Sequence, residues 1–267
     1  MGKAERFMGR LTNEALQAAM FTEVIHAQHL ATVKRHLDRH HGSALVVGNH
    51  ISANDPVSHS RALAEITTPD HMTFVGSRRH FDPKRGKFNA AKGVLRGWWQ
   101  EAYGIDIALV VQKKDRADYP DWGEYNARTQ QRLEAAVKRK GELVYILPEG
   151  ERSTTGGLLQ AEVGISGLLR EGGDNVLVLP ITEAYTDLSF IRGRSRLTIG
   201  EPFFRPQIMT EKAAINQRIT ELRQQRTIIP FADVADLIML HIAQPLDPEN
   251  YGEYAQLMEI SQGLIAA

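Results

Sequence analysis

Ser43-Ala44-Leu45-Val46-Val47-Gly48-Asn49-His50-Ile51-Ser52-Ala53-Asn54-Asp55-Pro56 decides the reading of the fold. Its opening five residues form a short apolar run with two valines, which predicts a buried strand. Asp55-Pro56 is a helix start, with Asp at the N-cap and Pro at the first helical position, and predicts a helix to about Ile66. A buried strand, a polar turn and a helix in that order make the repeating unit of an α/β sheet.

Working outward, the alternation continues. Strands are predicted at residues 72–75, 105–111, 143–147, 176–181 and 196–199. Helices are predicted at 90–102, at 122–140 ended by Gly141, and at 162–170 stopped by Gly172-Gly173. Residues 5–40 read as helical, because Phe7, Leu11, Ala18, Phe21 and Ile25 recur at helical spacings. Beyond residue 210 three helices are expected, with breaks near Thr227–Pro230 and Pro245–Pro248. The expectation is an α/β fold whose central mixed, largely parallel sheet is covered by helices. N-terminal helices (about 5–40) and C-terminal helices (about 210–265) would extend a core of about 43–205, in one domain spanning 1–267. No internal repeat and no Ser/Gly/Pro-rich linker divides the chain.

Composition removes several function classes. Lys plus Arg number 32 and so do Asp plus Glu, so the chain is formally neutral, which argues against a surface devoted to nucleic acid. There is no Cys, which excludes disulfides, thiolate catalysis, Cys-ligated zinc and iron–sulfur clusters. The first residues, Met1-Gly2-Lys3-Ala4-Glu5-Arg6, lack the apolar centre of a signal peptide, and no apolar stretch approaches the roughly 18 residues of a membrane span. The expected setting is cytoplasmic, with peripheral contact at the inner face of the membrane left open.

Two polar segments carry chemistry. Asn49-His50-Ile51-Ser52-Ala53-Asn54-Asp55 follows a strand, and ligands of open α/β sheets bind at the carboxyl ends of strands. His50 can take a proton from a hydroxyl near neutral pH, and a carboxylate on its other ring nitrogen would fix the tautomer and stabilise the imidazolium. Positions five apart lie about 140° apart on a helix, so only a strand-to-helix turn could join His50 to Asp55. Asp55 as a plain cap and His50 as an ordinary loop histidine are the simpler reading. The second segment, Leu147-Pro148-Glu149-Gly150-Glu151-Arg152-Ser153, also follows a strand. Pro148 and Gly150 shape a turn, and Arg152 offers forked donors to a phosphate or carboxylate. Alone, it is equally a polar surface turn.

Taken together, Asn-His-X4-Asp followed by Pro-Glu-Gly-X-Arg-Ser resembles the glycerophospholipid acyltransferase family, which includes lysophosphatidic acid and glycerol-3-phosphate acyltransferases. The resemblance covers roughly residues 43–200 and extends to Ser52, to Gly164 and to Leu179-Pro180-Ile181 as a later block. It implies transfer of a fatty acyl group from an acyl thioester, carried by coenzyme A or an acyl carrier protein, to a hydroxyl of a lipid or polyol acceptor. His50 would be the general base and Asp55 its orienting partner. Glu149, Gly150, Arg152 and Lys113 would bind the acceptor, with Asn49, Ser52 and Ser153 in support. It implies neither cofactor nor metal. An acyl thioesterase and a non-catalytic lipid-binding relative are the alternatives.

The sequence departs from the family pattern at informative places. In Val110-Val111-Gln112-Lys113-Lys114, Lys113 stands for the Arg that meets an acceptor phosphate. The usual Thr of the second segment is Glu151, and the usual Phe-Lys further on is Ala161-Glu162. A carboxylate about 5 Å from a phosphate, at an effective dielectric near 20, would repel it by about 3 kcal/mol. A neutral polyol, a sugar lipid or an amine-bearing lipid becomes the alternative acceptor, unless Lys113, Lys114 or Arg116 compensates.

Two further clusters stand out. From Arg78 to Trp99 seven Lys and Arg face a single Asp82, with Phe81, Phe88, Trp98 and Trp99 interleaved, which suits anionic head groups, a coenzyme phosphate or a solvated loop. Membrane contact, left open above, would fall on this segment or on the N-terminal helix, for which packing on the domain is the preferred reading; nucleic acid is not expected. His26, His29, His36, His40 and His41 could seat a metal by spacing, but are expected to lie on a solvated helix face.

Overall fold

Strand and helix alternate along the chain in the computed structural model, which describes residues 21–52, 55–63, 66, 72–82, 84, 105–187, 194–224 and 230–265. The strands are β1 (Phe21–Ile25), β2 (Ala44–Gly48), β3 (Met72–Ser77), β4 (Ile105–Val110), β5 (Leu143–Ile146), β6 (Leu177–Asp187), β7 (Arg194–Ile199) and β8 (Phe203–Phe204). The helices are α1 (Gln28–Asp38), α2 (Asp55–Leu63), α3 (Trp122–Lys138), α4 (Gly164–Gly172), α5 (Arg205–Gln224), α6 (Val234–Ala243) and α7 (Ala255–Ile265).

The strands form one mixed sheet in the order β1-β7-β6-β2-β5-β3-β4, with β8 also on β6. β6, β2, β5, β3 and β4 run parallel, whereas β7 and β8 run antiparallel to β6, and β1 runs parallel to β7. β2 sits in the middle, and residues 44–47 are wholly inaccessible. Its side chains alternate between two apolar layers, as the two-residue period of a strand requires. Leu45 and Val47 pack with α3, α4, α5 and the nearly all-apolar α6. Ala44 and Val46 pack with Leu30, Val33 and Leu37 of α1 and with Ala62 and Leu63 of α2. The C-terminal helices therefore complete one face of the sheet. α6 is held at its start by a capping box between Asp233 and Asp236.

The N-terminal region differs from its sequence reading. Phe21 and Ile25, placed above on a helical stripe, belong to β1. Phe, Thr, Val and Ile fill four of its five positions, and the parallel ladder from Phe21↔Arg194 to Ile25↔Thr198 rewards strand formation. His26, at φ 59°, turns the chain before α1. Of the five histidines, His26, His40 and His41 are exposed as expected, whereas His29 and His36 are not. His29 Nδ1 lies 2.9 Å from the carbonyl oxygens of Ile199 and Gly200, and His36 is buried with Nε2 3.1 Å from Asn175 O. Among the described residues no three His, Asp or Glu side chains gather as a metal site. β6 runs six residues beyond its expected end, and β8 was not anticipated. The helix expected at 90–102, and all but the first residues of the basic segment, lie outside the described residues.

Candidate active site

The five parallel strands bring their carboxyl ends to one edge of the sheet. β2 leads into Asn49–Asp55 and β5 into Leu147–Ser153, adjacent strands delivering the two polar segments side by side.

The structure brings His50 and Asp55 together, with Nδ1 2.7 Å from Oδ2. Asp55 is the first residue of α2 rather than the cap before it, and its carboxylate turns back over the loop. Ile51 N donates to Oδ2 at 2.8 Å, and Ser52 N donates to both oxygens at 3.0 and 2.9 Å. The Tyr185 hydroxyl donates to Oδ1 at 2.7 Å. Asp55 is completely buried, and these donors supply what water would otherwise give its charge. The Asp55 carboxylate thus fixes the imidazole through Nδ1 and leaves Nε2 for chemistry; the His50 side chain is 18% exposed and lines an open cleft.

The loop bearing His50 is pinned from behind. Asn49 acts as a main-chain substitute at the end of β2: its Nδ2 donates to Glu183 O and its Oδ1 accepts from Glu183 N, both at 2.8 Å. Glu149 is placed under the loop, 3% exposed, with Oε1 accepting from His50 N and Oε2 from Leu159 N, each at 2.7 Å. Burial pushes its carboxyl up to about 7, against the lowering pull of those two amide bonds, and the nearby Asp55 charge adds to the rise. Ser153 N donates to His50 O at 2.8 Å, so the main chain of His50 is held through both its N–H and its carbonyl. Between these clamps Gly150 adopts φ 67°, a left-handed turn that glycine accommodates without strain. Its carbonyl accepts from the Gln112 side chain.

The cleft encloses about 440 Å³ and is lined by polar residues. Arg79 and His80 reach it from the end of β3, Gln112 and Lys114 from the end of β4, and Glu151 and Arg152 from the end of β5. Lys113, expected at the acceptor, is exposed and not part of this lining; its neighbour Lys114 takes the place. Arg78, from the basic segment, turns to Asp121 at 2.9 Å and lies over the Tyr119 and Tyr125 rings.

Several residues behind the dyad escaped sequence reasoning. Ser58 and His59 stand three and four positions after Asp55 on one face of α2, and both meet Glu183. His59 Nε2 is 3.1 Å from Glu183 Oε2, both fully buried, and His59 Nδ1 bonds the Tyr145 hydroxyl. Glu183 and Tyr185 share a face of β6, in the stretch beyond the expected end of that strand. The helical spacing 55-58-59 was the available signal for the first pair, and Tyr185 itself, a strand-favouring residue, for the second.

An α/β sheet with a carboxylate-held histidine beside a polar cleft at its carboxyl edge is chemically equipped to accept a proton from a bound hydroxyl or water. The family model described as Acyltransferase matches residues 24–183, more than half of the sequence and all of the site described above except Tyr185. The chain belongs to the acyltransferase family. Among solved structures, the 1-acyl-sn-glycerophosphate (LPA) acyltransferase PlsC from Thermotoga maritima is similar at 16% identity and a TM-score of 0.45, over 76% of this chain and 69% of that one. No curated protein matches. Among the described residues no helix is long and apolar enough to cross a membrane.

Proposed function

We propose that the protein transfers a fatty acyl group from an acyl thioester to a hydroxyl of a glycerolipid-like acceptor, with His50 as the general base. The observation that carries this reading is the 2.7 Å contact between His50 Nδ1 and a buried, fully hydrogen-bonded Asp55, with His50 on the cleft wall. The acceptor oxygen attacks the thioester carbonyl as its proton passes to Nε2 of His50. The imidazolium is stabilised by Asp55 and returns the proton to the departing thiolate as the carbon–sulfur bond breaks. No enzyme nucleophile is required. Arg152, Gln112 and the turn at Gly150 face the acceptor, while Glu149, Asn49 and Ser153 hold the loop. The donor is a coenzyme A or carrier-protein thioester, and the lipid acceptor implies peripheral contact with a membrane surface.

The test is thiol release from palmitoyl-coenzyme A by wild type and His50→Ala, without acceptor and with lysophosphatidate, glycerol 3-phosphate, monoacylglycerol, a sugar lipid and an amine lipid in turn. Acceptor-dependent release that falls by about 10²–10⁴-fold in the variant supports the reading. Release that needs no acceptor identifies a thioesterase, and no turnover with lipid binding unchanged in His50→Ala identifies a binding protein.

A further inference from the structure

Among the described residues, the cleft beside His50 holds fewer free cations than the sequence after β4 suggests. Of the three cations following β4, Lys113 is not part of the lining and Arg116 lies over the Trp122 ring, 3.9 Å from its centroid. Only Lys114 reaches the cleft, and its Nζ is 2.6 Å from Oε2 of Glu151 on the same lining. Arg79 is likewise engaged, 2.9 Å from the carboxylate of Asp115, which is 1% exposed. Among the described residues Arg152 is the one Lys or Arg of the cleft without a carboxylate partner.

A phosphate monoester carries about 1.5 to 2 negative charges at pH 7 and is held best by several cations free to donate to it. Here a carboxylate occupies Lys114 and adds its own charge to the wall. Hydroxyl groups make the opposite demand, since each both donates and accepts. Glu151, Gln112, His80 and Arg152 together offer acceptors and donors of both kinds. We infer that Glu151 sets the acceptor class: held on Lys114, it suits the cleft to a neutral, hydroxyl-rich head group, a polyol or sugar, in place of a phosphate monoester. This inference rests on acyl transfer at His50, and the experiment separates the two.

In a first arm, glycerol 3-phosphate is titrated calorimetrically into wild type, Glu151→Gln, Glu151→Thr and the double variant Glu151→Gln/Lys114→Met. Both side chains are about half exposed, so the fold tolerates the changes. Binding about tenfold tighter in the single variants, and lost again in the double variant, is the expected result at low salt. Equal affinity across the series overturns the inference. In a second arm, lysophosphatidate and a monoglycosyl acylglycerol compete in the same micelles for palmitoyl-coenzyme A. Wild type is expected to favour the glycolipid, and Glu151→Gln to move the product ratio about tenfold toward phosphatidate. A wild-type preference for lysophosphatidate, or an unchanged ratio, overturns the inference. A protein without acceptor-dependent turnover defeats the acyl-transfer reading, and the binding arm still decides the part played by Glu151.

Discussion

Replacing Glu149 by Gln tests how the two polar loops are joined. The carboxylate accepts from His50 N and Leu159 N in a nearly water-free position, and its carboxyl is raised from 4.5 to about 7, chiefly by burial. Folding therefore favours the protonated form. The raised value makes the folded protein bind more protons than the unfolded chain between pH 4.5 and about 7, so stability from this group is full below 4.5 and is lost as pH rises through 7. A displacement from 4.5 to about 7, at about 1.36 kcal/mol per pH unit, is worth about 3 kcal/mol, most of which is lost between pH 5 and 8. Gln cannot titrate. It can also satisfy only one of the two amides, because its second terminal atom is a donor. Urea denaturation of wild type and Glu149→Gln at intervals from pH 5 to 8 measures the effect, since titrating groups remote from position 149 cancel in the difference. The stability of wild type relative to the variant is expected to fall by about 2–3 kcal/mol across that range. A difference that stays flat with pH would show that Glu149 is ionised throughout, and would refute the argument from burial.

Tyr185→Phe removes a donor from a buried carboxylate and is expected to cost about 1.5–3 kcal/mol of stability in urea denaturation, with reduced turnover and intact acceptor binding. Asn49→Asp keeps an acceptor for Glu183 N but loses the donor to Glu183 O. A loss of about 1–3 kcal/mol is expected in thermal or urea unfolding, with Asn49→Ala worse. Burial holds the His36 imidazole below 6.5, so the unfolded chain binds the extra proton and stability declines as pH falls below 6.5. An NMR titration of His36 should show the lowered midpoint, and His36→Gln should flatten that part of the stability curve.

The residues that make strands were easier to read than those that make the site work. Runs such as 44–47 and 143–145 are buried on both faces, so their apolar continuity is itself the signal. β1 misled because Phe21 and Ile25 fit a helical spacing with residues upstream, while the partner that makes a strand of them, β7, lies about 170 residues away. The far half of β6 was missed for a related reason. Thr182-Glu183-Ala184-Tyr185 looks like a polar exit from an apolar strand, yet Glu183 and Tyr185 are turned inward to serve α2. His50 and Asp55 were legible because their chemistry is compressed into six residues. Tyr185 and Glu183 were not, because a contact across 125 to 130 positions leaves no local trace.

On the proposed mechanism, the arrangement of clamps lets such a site change its acceptor without losing its base. Glu149 takes the N–H of His50 and Ser153 donates to its carbonyl, so both ends of the 149–153 turn are fixed to the main chain of the histidine itself. Glu151 and Arg152 lie between those fixed ends and project into the cleft. The separation between the base and the acceptor-facing charges is thus set by backbone contacts, not by the two side chains. Substitution at 151 or 152 alters charge in the cleft while leaving the turn anchored, whereas substitution at 149 releases the loop that carries His50. On the proposed mechanism, acceptor selectivity and proton transfer place alternating demands on one short turn. Changes at 151 and 152 should fall on KM and acceptor preference, and changes at 149 on kcat and stability.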